Sequence, residues 1–206
     1  VAKVATDTGA AAALDREAAR IEAFGKLLPQ PLAAPRILAR EGGLLLLEAV
    51  PWRVRPRPWR LDEEVAWALG AFFRRGAHQA APLLGPAHGD CAPWNLLRTE
   101  GGWVLIDWED ASGAQPPFYD LFHYIAQAHV LLGRPSWPAV LDGFRDGAGW
   151  VGRAVRAYAD GAGIARKDAT EFLESYLVDI PAKLRPLGLD KRDRTATRRR
   201  FKLRGA

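Results

Sequence analysis

The stretch His88-Gly89-Asp90-Cys91-Ala92-Pro93-Trp94-Asn95 is followed, twelve residues after the Asn, by Asp107 at the end of the apolar run Val104-Leu105-Ile106. Thr99-Glu100-Gly101-Gly102 has the composition of a turn, so residues 95–98 and 103–106 read as the two arms of a hairpin. That hairpin constrains the fold more than any other feature. It brings Asn95 and Asp107 together, and Asp90 lies only five residues before the Asn. The fold must then present three oxygen-bearing side chains to one crevice.

These residue types in this order suit phosphoryl transfer. Charge spreads over the oxygens of the transferring group, and a magnesium ion neutralises it through hard oxygen ligands, which Asn and Asp supply. A carboxylate within reach of the attacking hydroxyl orients it and takes its proton. Asp90 is the candidate catalytic base, and Asn95 and Asp107 are the candidate Mg²⁺ ligands. The plainer alternative is a tight turn of hydrogen-bonded polar groups ahead of a hairpin.

At these residues the chain resembles the aminoglycoside phosphotransferase and choline kinase-like family, the small-molecule branch of the protein-kinase-like fold. His-Gly-Asp, Pro93 two positions before the Asn, and Ile106-Asp107-Trp108-Glu109 carry the resemblance. It implies an α+β, two-lobe fold with a truncated small antiparallel-sheet N-lobe and a larger helical C-lobe. It also implies a structural Asp downstream that anchors the catalytic loop. Asp120 is the match, with a simple helix cap as its other reading. In that family a strand Lys grips the α and β phosphates and a helix Glu holds the Lys. Lys3 and Glu17 stand in suitable positions, with Glu22 in reserve. The hinge falls at Ala49 and Val50, whose backbone would pair with the adenine edge. Glu109 or Asp110 would help place the acceptor, or serve only the local field beside the metal. Two earlier strands whose turn covers the triphosphate have no counterpart here, so the chain reads as a fragment, a trimmed form or a degenerate relative.

Alternation over residues 1–5 predicts a strand, and helical spacing predicts a helix over 10–28. Residues 35–40 and 44–48 read as a hairpin about Gly42-Gly43, a pair suited to positive φ. A helix is predicted over 61–80 with Asp62 as N-cap, another over 119–132, and at least two more across 138–162 and 167–184. The expected organisation is a partial N-lobe (1–50), a connector (51–60), a helical C-lobe with the catalytic loop (61–190) and a basic tail (191–206). Phe118, Trp137, Trp150 and Tyr158 read as core aromatics before acceptor-stacking ones. Residues 53–60 read as a solvated loop, with contact to phosphate or acceptor as the alternative.

The net charge of +5 raises nucleic acid as a partner, until the charge is located. Residues 191–206 hold eight of the 29 Lys and Arg and one of the 24 acidic residues, which leaves residues 1–190 slightly negative. The charge is a property of the tail, which offers contact with anionic surfaces or simply a solvated end. No specific nucleic-acid partner is expected. Residues 121–190 balance eight acidic against eight basic side chains, unlike a groove built for a polycation.

The lone cysteine, Cys91, excludes an internal disulfide and suits a reducing cytoplasm. It reads as a small filler rather than a reactive thiol. His78, His123 and His129 show no metal-ligand spacing and read as core or surface residues. No apolar run approaches the ~18 residues of a membrane span. The resulting expectation is a cytoplasmic phosphotransferase moving the γ-phosphate of ATP or GTP to a hydroxyl of a small molecule. Its alternative is a kinase-like nucleotide-binding or scaffolding domain with impaired turnover.

Overall fold

The structure, a computed structural model, describes residues 1–78 and 83–179. The basic tail and the far end of the helix expected over 167–184 lie outside the described residues. The architecture is α+β: three small sheets and six α-helices among the described residues, in keeping with the protein-kinase-like fold.

β1 (Ala2–Val4), β3 (Ile37–Glu41) and β4 (Leu44–Leu47) form an antiparallel sheet in the order β1-β4-β3, with Lys3 opposite Leu45. Gly42 and Gly43 turn the hairpin at φ 54° and 80°. Leu45 and Leu47 are buried, and α1 (Thr8–Phe24) contributes Glu17, Ala18 and Ile21 as its buried residues. The helix starts earlier than its apolar spacing suggests because Asp7 caps it, its Oδ1 accepting from the Ala10 N–H at 2.8 Å. It also stops sooner, passing into a 3₁₀ turn at Gly25–Leu27.

A second sheet joins β2 (Leu32–Ala33), β6 (Leu96–Arg98) and β7 (Trp103–Leu105) in the order β2-β7-β6. The β6–β7 pair is the expected hairpin, in the register Leu96 to Leu105. β2 is unforeseen. It lies within residues 1–50 yet runs parallel to β7, and the Trp103 N–H donates to Pro31 O at 2.8 Å.

α2 (Glu63–Gly76) is shorter than the predicted helix. It gives way to a bridge in which the His78 N–H donates to Leu84 O, leading into β5 (Gly85–Ala87), which pairs with β8 (Ser112–Gln115). Asp62 holds the N-cap position, but its side chain makes no cap bond and lies 3.7 Å from Arg98. α3 (Tyr119–Leu132) has its predicted bounds. The stretch 138–162 divides into α4 (Trp137–Asp146) and α5 (Gly149–Ala162), because Gly147 and Gly149 take left-handed φ values of 72° and 59°. α6 (Ala169–Asp179) follows.

The core of the helical part is built on Phe72, Phe73, Trp108, Phe118, Phe122 and Tyr124, all at most 2% exposed. Helices α2 and α5 cross at glycines. A Cβ on Gly161 would lie 2.1 Å from the Trp67 carbonyl oxygen, and one on Gly70 the same distance from that of Tyr158. Gly161→Ala would gain helix propensity and lose far more to the clash, for a net destabilisation of about 2 kcal/mol. The midpoint of urea unfolding measures it, and an unshifted midpoint would mean the helices can part at no cost.

Candidate active site

The loop after β5 is held in place by its own first residues. Gly89 has φ 84°, and a Cβ there would meet the Asp110 carbonyl oxygen at 2.2 Å, so both conformation and space require glycine. The carboxylate of Asp120, in the first turn of α3, accepts the His88 N–H at 2.8 Å and the Gly89 N–H at 3.0 Å. Asp120 is therefore the loop anchor rather than a cap of its own helix. Burial raises its pKa to about 6, with the two N–H bonds opposing the rise.

His88 is fully buried, its ring edge-on to Trp108 at 4.8 Å between centroids. Burial lowers its pKa to about 4, so the ring is neutral and Nε2–H donates to Ile106 O at 3.0 Å. The loop that carries Asp90 is thereby tied to the strand end that carries Asp107.

Asp90 is gripped from two sides. Asn95 Nδ2 lies 2.9 Å from Asp90 Oδ2 and 2.9 Å from its backbone oxygen, while His123 Nε2 lies 2.9 Å from Oδ1. With its amide nitrogen committed to Asp90, Asn95 keeps Oδ1 as the atom with lone pairs to offer a metal. The Ile106 N–H donates to Asn95 O at 2.9 Å, so Asp107 is one residue beyond the pairing. Asp107 adopts φ 67°, an uncommon left-handed conformation that Asp tolerates better than most residues.

Lys3 Nζ lies 2.8 Å from Asp107 Oδ1 and 2.8 and 2.9 Å from the two oxygens of Glu17. Burial works against the ammonium, but its bonds to Asp107 and Glu17 outweigh this and raise its pKa. Glu17 is 2% exposed, while Glu22 is exposed on the same helix and makes no such contact with Lys3. Strand, helix and hairpin end thus meet at one ammonium.

Ala49 and Val50 line a cavity of about 510 Å³ together with Glu48, Trp52, Thr99 and Val104. Lys3 and Asp107 are not part of that lining. The Val50 carbonyl accepts from the Trp52 N–H at 2.9 Å, which occupies one of its two lone pairs. Glu109 is exposed after Trp108, whereas Asp110 lays its backbone over Gly89. Phe118, Trp137 and Tyr158 are core residues, and Trp150 is half-buried. Cys91 is fully buried and burial pushes its thiol pKa up, as befits a filler.

Two features of the site were not foreseen. Arg55, in the connector read as solvated, reaches Pro93 O at 3.3 Å and the Tyr124 hydroxyl at 2.8 Å, and stacks over Trp103 at 4.8 Å. His123 touches Asp90 and is backed by Gln127 and Tyr176. Its position three residues after Asp120 on the same helix was the available signal, since that spacing puts both side chains on one face.

A family model described as the phosphotransferase enzyme family matches residues 40–159, more than half of the chain. The chain belongs to that family. No curated protein matches it in a sequence comparison. The match covers Asp90, Asn95, Asp107 and Asp120 of this phosphotransferase, while Lys3 and Glu17 precede it. Among the described residues no group of three or more His, Cys, Asp or Glu gathers as a metal cage. The donor set still fits Mg²⁺, which takes one or two protein oxygens and completes its shell with phosphate oxygens and water. No helix among the described residues is long and apolar enough to cross a membrane.

Proposed function

We propose that this phosphotransferase moves the γ-phosphoryl group of ATP or GTP to a hydroxyl of a small molecule. Asp90 takes the proton as the hydroxyl oxygen attacks the γ phosphorus and the bond to the bridging oxygen breaks, releasing the nucleoside diphosphate. Asn95 and Asp107 would hold Mg²⁺, which when bound neutralises charge on the phosphate oxygens. Lys3, steadied by Glu17, offers its ammonium to the phosphates. Ala49 and Val50 offer backbone groups to the base of the nucleotide, beside a cavity of suitable size. The single, buried thiol suits the reducing cytoplasm.

One observation carries the reading: a lysine, a buried glutamate and the hairpin-end aspartate, 14 and 104 residues from that lysine, converge within 2.9 Å of its ammonium. An ordinary surface ion pair would not recruit three separate elements. The test is calorimetric titration with ATP and GTP, with and without Mg²⁺, followed by assay of phosphoryl transfer to sugars, amino alcohols and aminoglycosides. Mg²⁺-dependent binding with transfer supports the proposal. Binding without transfer favours the scaffolding alternative, and nucleotide binding indifferent to Mg²⁺ overturns the assignment of Asn95 and Asp107.

Lys3→Met should weaken nucleotide binding by about tenfold, the loss of one charge-assisted contact to phosphate. Glu17→Gln should weaken it less, since the lysine remains. Equal affinities in all three proteins would remove Lys3 from the phosphate site.

A further inference from the structure

We infer that His123 is a positioning residue for Asp90, acting as the tautomer that carries its proton on Nε2, and that through Tyr176 it ties helix α6 to the base. The inference rests on the reading of Asp90 as the base and deepens it.

An ionised carboxylate only accepts hydrogen bonds. With Oδ1 of Asp90 2.9 Å from His123 Nε2, that nitrogen must bring the proton. In the neutral ring Nδ1 is then the acceptor, and the Tyr176 hydroxyl, 3.2 Å away, is the donor. Tyr176 suits that role, because burial pushes its pKa up and keeps the hydroxyl protonated. The opposite tautomer would set the Nε2 lone pair against an oxygen of Asp90, and could persist only with Asp90 protonated and useless as a base.

Gln127 is a further neighbour of the same nitrogen. Its Nε2 lies 3.1 Å from His123 Nε2, while its Oε1 is buried with no hydrogen-bond partner. If His123 carries its proton on Nε2, two donors face each other and an acceptor is wasted. Turning the amide over, a choice that rests on hydrogen-bond assignment, places Oε1 against the same N–H and removes the opposition of donors, while the NH₂ takes the buried place where Oε1 has no partner.

The ring has little room to move. His123 is 3% exposed, Tyr119 stacks nearly parallel to it with centroids 6.1 Å apart, and Tyr176 meets Tyr119 edge-on at 5.4 Å. Asn95 holds Oδ2 of Asp90 from within the catalytic loop, and His123 holds Oδ1 from α3. Two donors on separate elements fix the plane of the carboxylate, and hence its line to the incoming hydroxyl.

Two substitutions separate positioning from mere packing. His123→Gln keeps an N–H near the place of Nε2, whereas His123→Asn keeps a polar group near the place of Nδ1 and leaves Asp90 Oδ1 without its donor. His123→Asn should lower kcat by about 10²-fold with nucleotide KM unchanged, and His123→Gln should recover most of that loss. Equal losses in both variants, accompanied by matching falls in thermal midpoint and nucleotide affinity, would reduce His123 to a core residue.

The second readout needs no turnover. Nitrogen-15 NMR of the imidazole in the wild-type protein should show a protonated Nε2 and an unprotonated Nδ1. Tyr176→Phe should shift the Nδ1 resonance and leave the tautomer as it is. A proton on Nδ1 overturns the inference while leaving the base assignment to stand or fall on the activity of Asp90→Asn.

Discussion

Asp90→Asn is expected to lower turnover by about 10³-fold, the middle of the range for loss of a general base. Mg²⁺-dependent nucleotide affinity should be little changed, because Asp107 and Lys3 are untouched and Asn95 keeps its bond to the backbone oxygen at position 90. The amide can accept from only one of the two donors that grip Asp90, Asn95 Nδ2 and His123 Nε2, so a small loss of stability accompanies the loss of rate. Single-turnover transfer and equilibrium titration on one preparation test the two halves of this expectation. Wild-type turnover by the variant would remove Asp90 from the role of base, and a parallel collapse of nucleotide affinity would mean that the loop itself had moved.

The second large effect belongs to a residue whose carboxylate is bound to the backbone of the Asp90 loop. Asp120→Ala leaves the His88 and Gly89 N–H groups buried without their acceptor, at a cost of about 4 kcal/mol for the pair. Turnover should fall with it, since the catalytic loop loses its anchor. Asp120→Asn is gentler, because its amide oxygen still accepts one of the two bonds.

Asp120 also leaves a signature in pH. Its pKa rises from an ordinary 3.8 to about 6, so between those values the folded protein holds a proton that the unfolded chain has released. Its contribution to stability therefore falls as pH rises through that window, by about 3 kcal/mol in all. His88 has the opposite sign. Its pKa drops from 6.5 to about 4, so acidification makes the unfolded chain take a proton that the folded one refuses, and stability falls as pH falls. The two slopes nearly cancel in the wild type. Asp120→Asn removes one of them, and its urea midpoint should drop more steeply than the wild type's between pH 6.5 and 4. Parallel profiles would show that Asp120 titrates in its ordinary range.

The β6–β7 hairpin was legible because its turn composition and alternating apolar arms are local signals. The same holds for α3, bounded by Pro117 on one side and Gly133 on the other. β2 was not legible. Two residues carry no periodicity, and its pairing with β7 spans some seventy positions of chain. The contact of His123 with Asp90 was missed for a related reason. A histidine on an apolar helix reads as core until the loop beside it is placed, and here it is both buried and in contact with Asp90. Arg55 was read as solvated because its partners are backbone oxygens, a hydroxyl and ring faces, none of which leaves a mark in sequence.

The pairing of β2 with β7 bears on how the cleft can breathe. The β1-β4-β3 sheet is leashed twice to the part that holds the catalytic loop: through the short span between β2 and β3, and through the segment after β4. A body on a single tether swivels freely, whereas one on two tethers can only swing like a door about the line between its pins. Any parting of Lys3 from Asp107 would then follow one arc, with little sideways play.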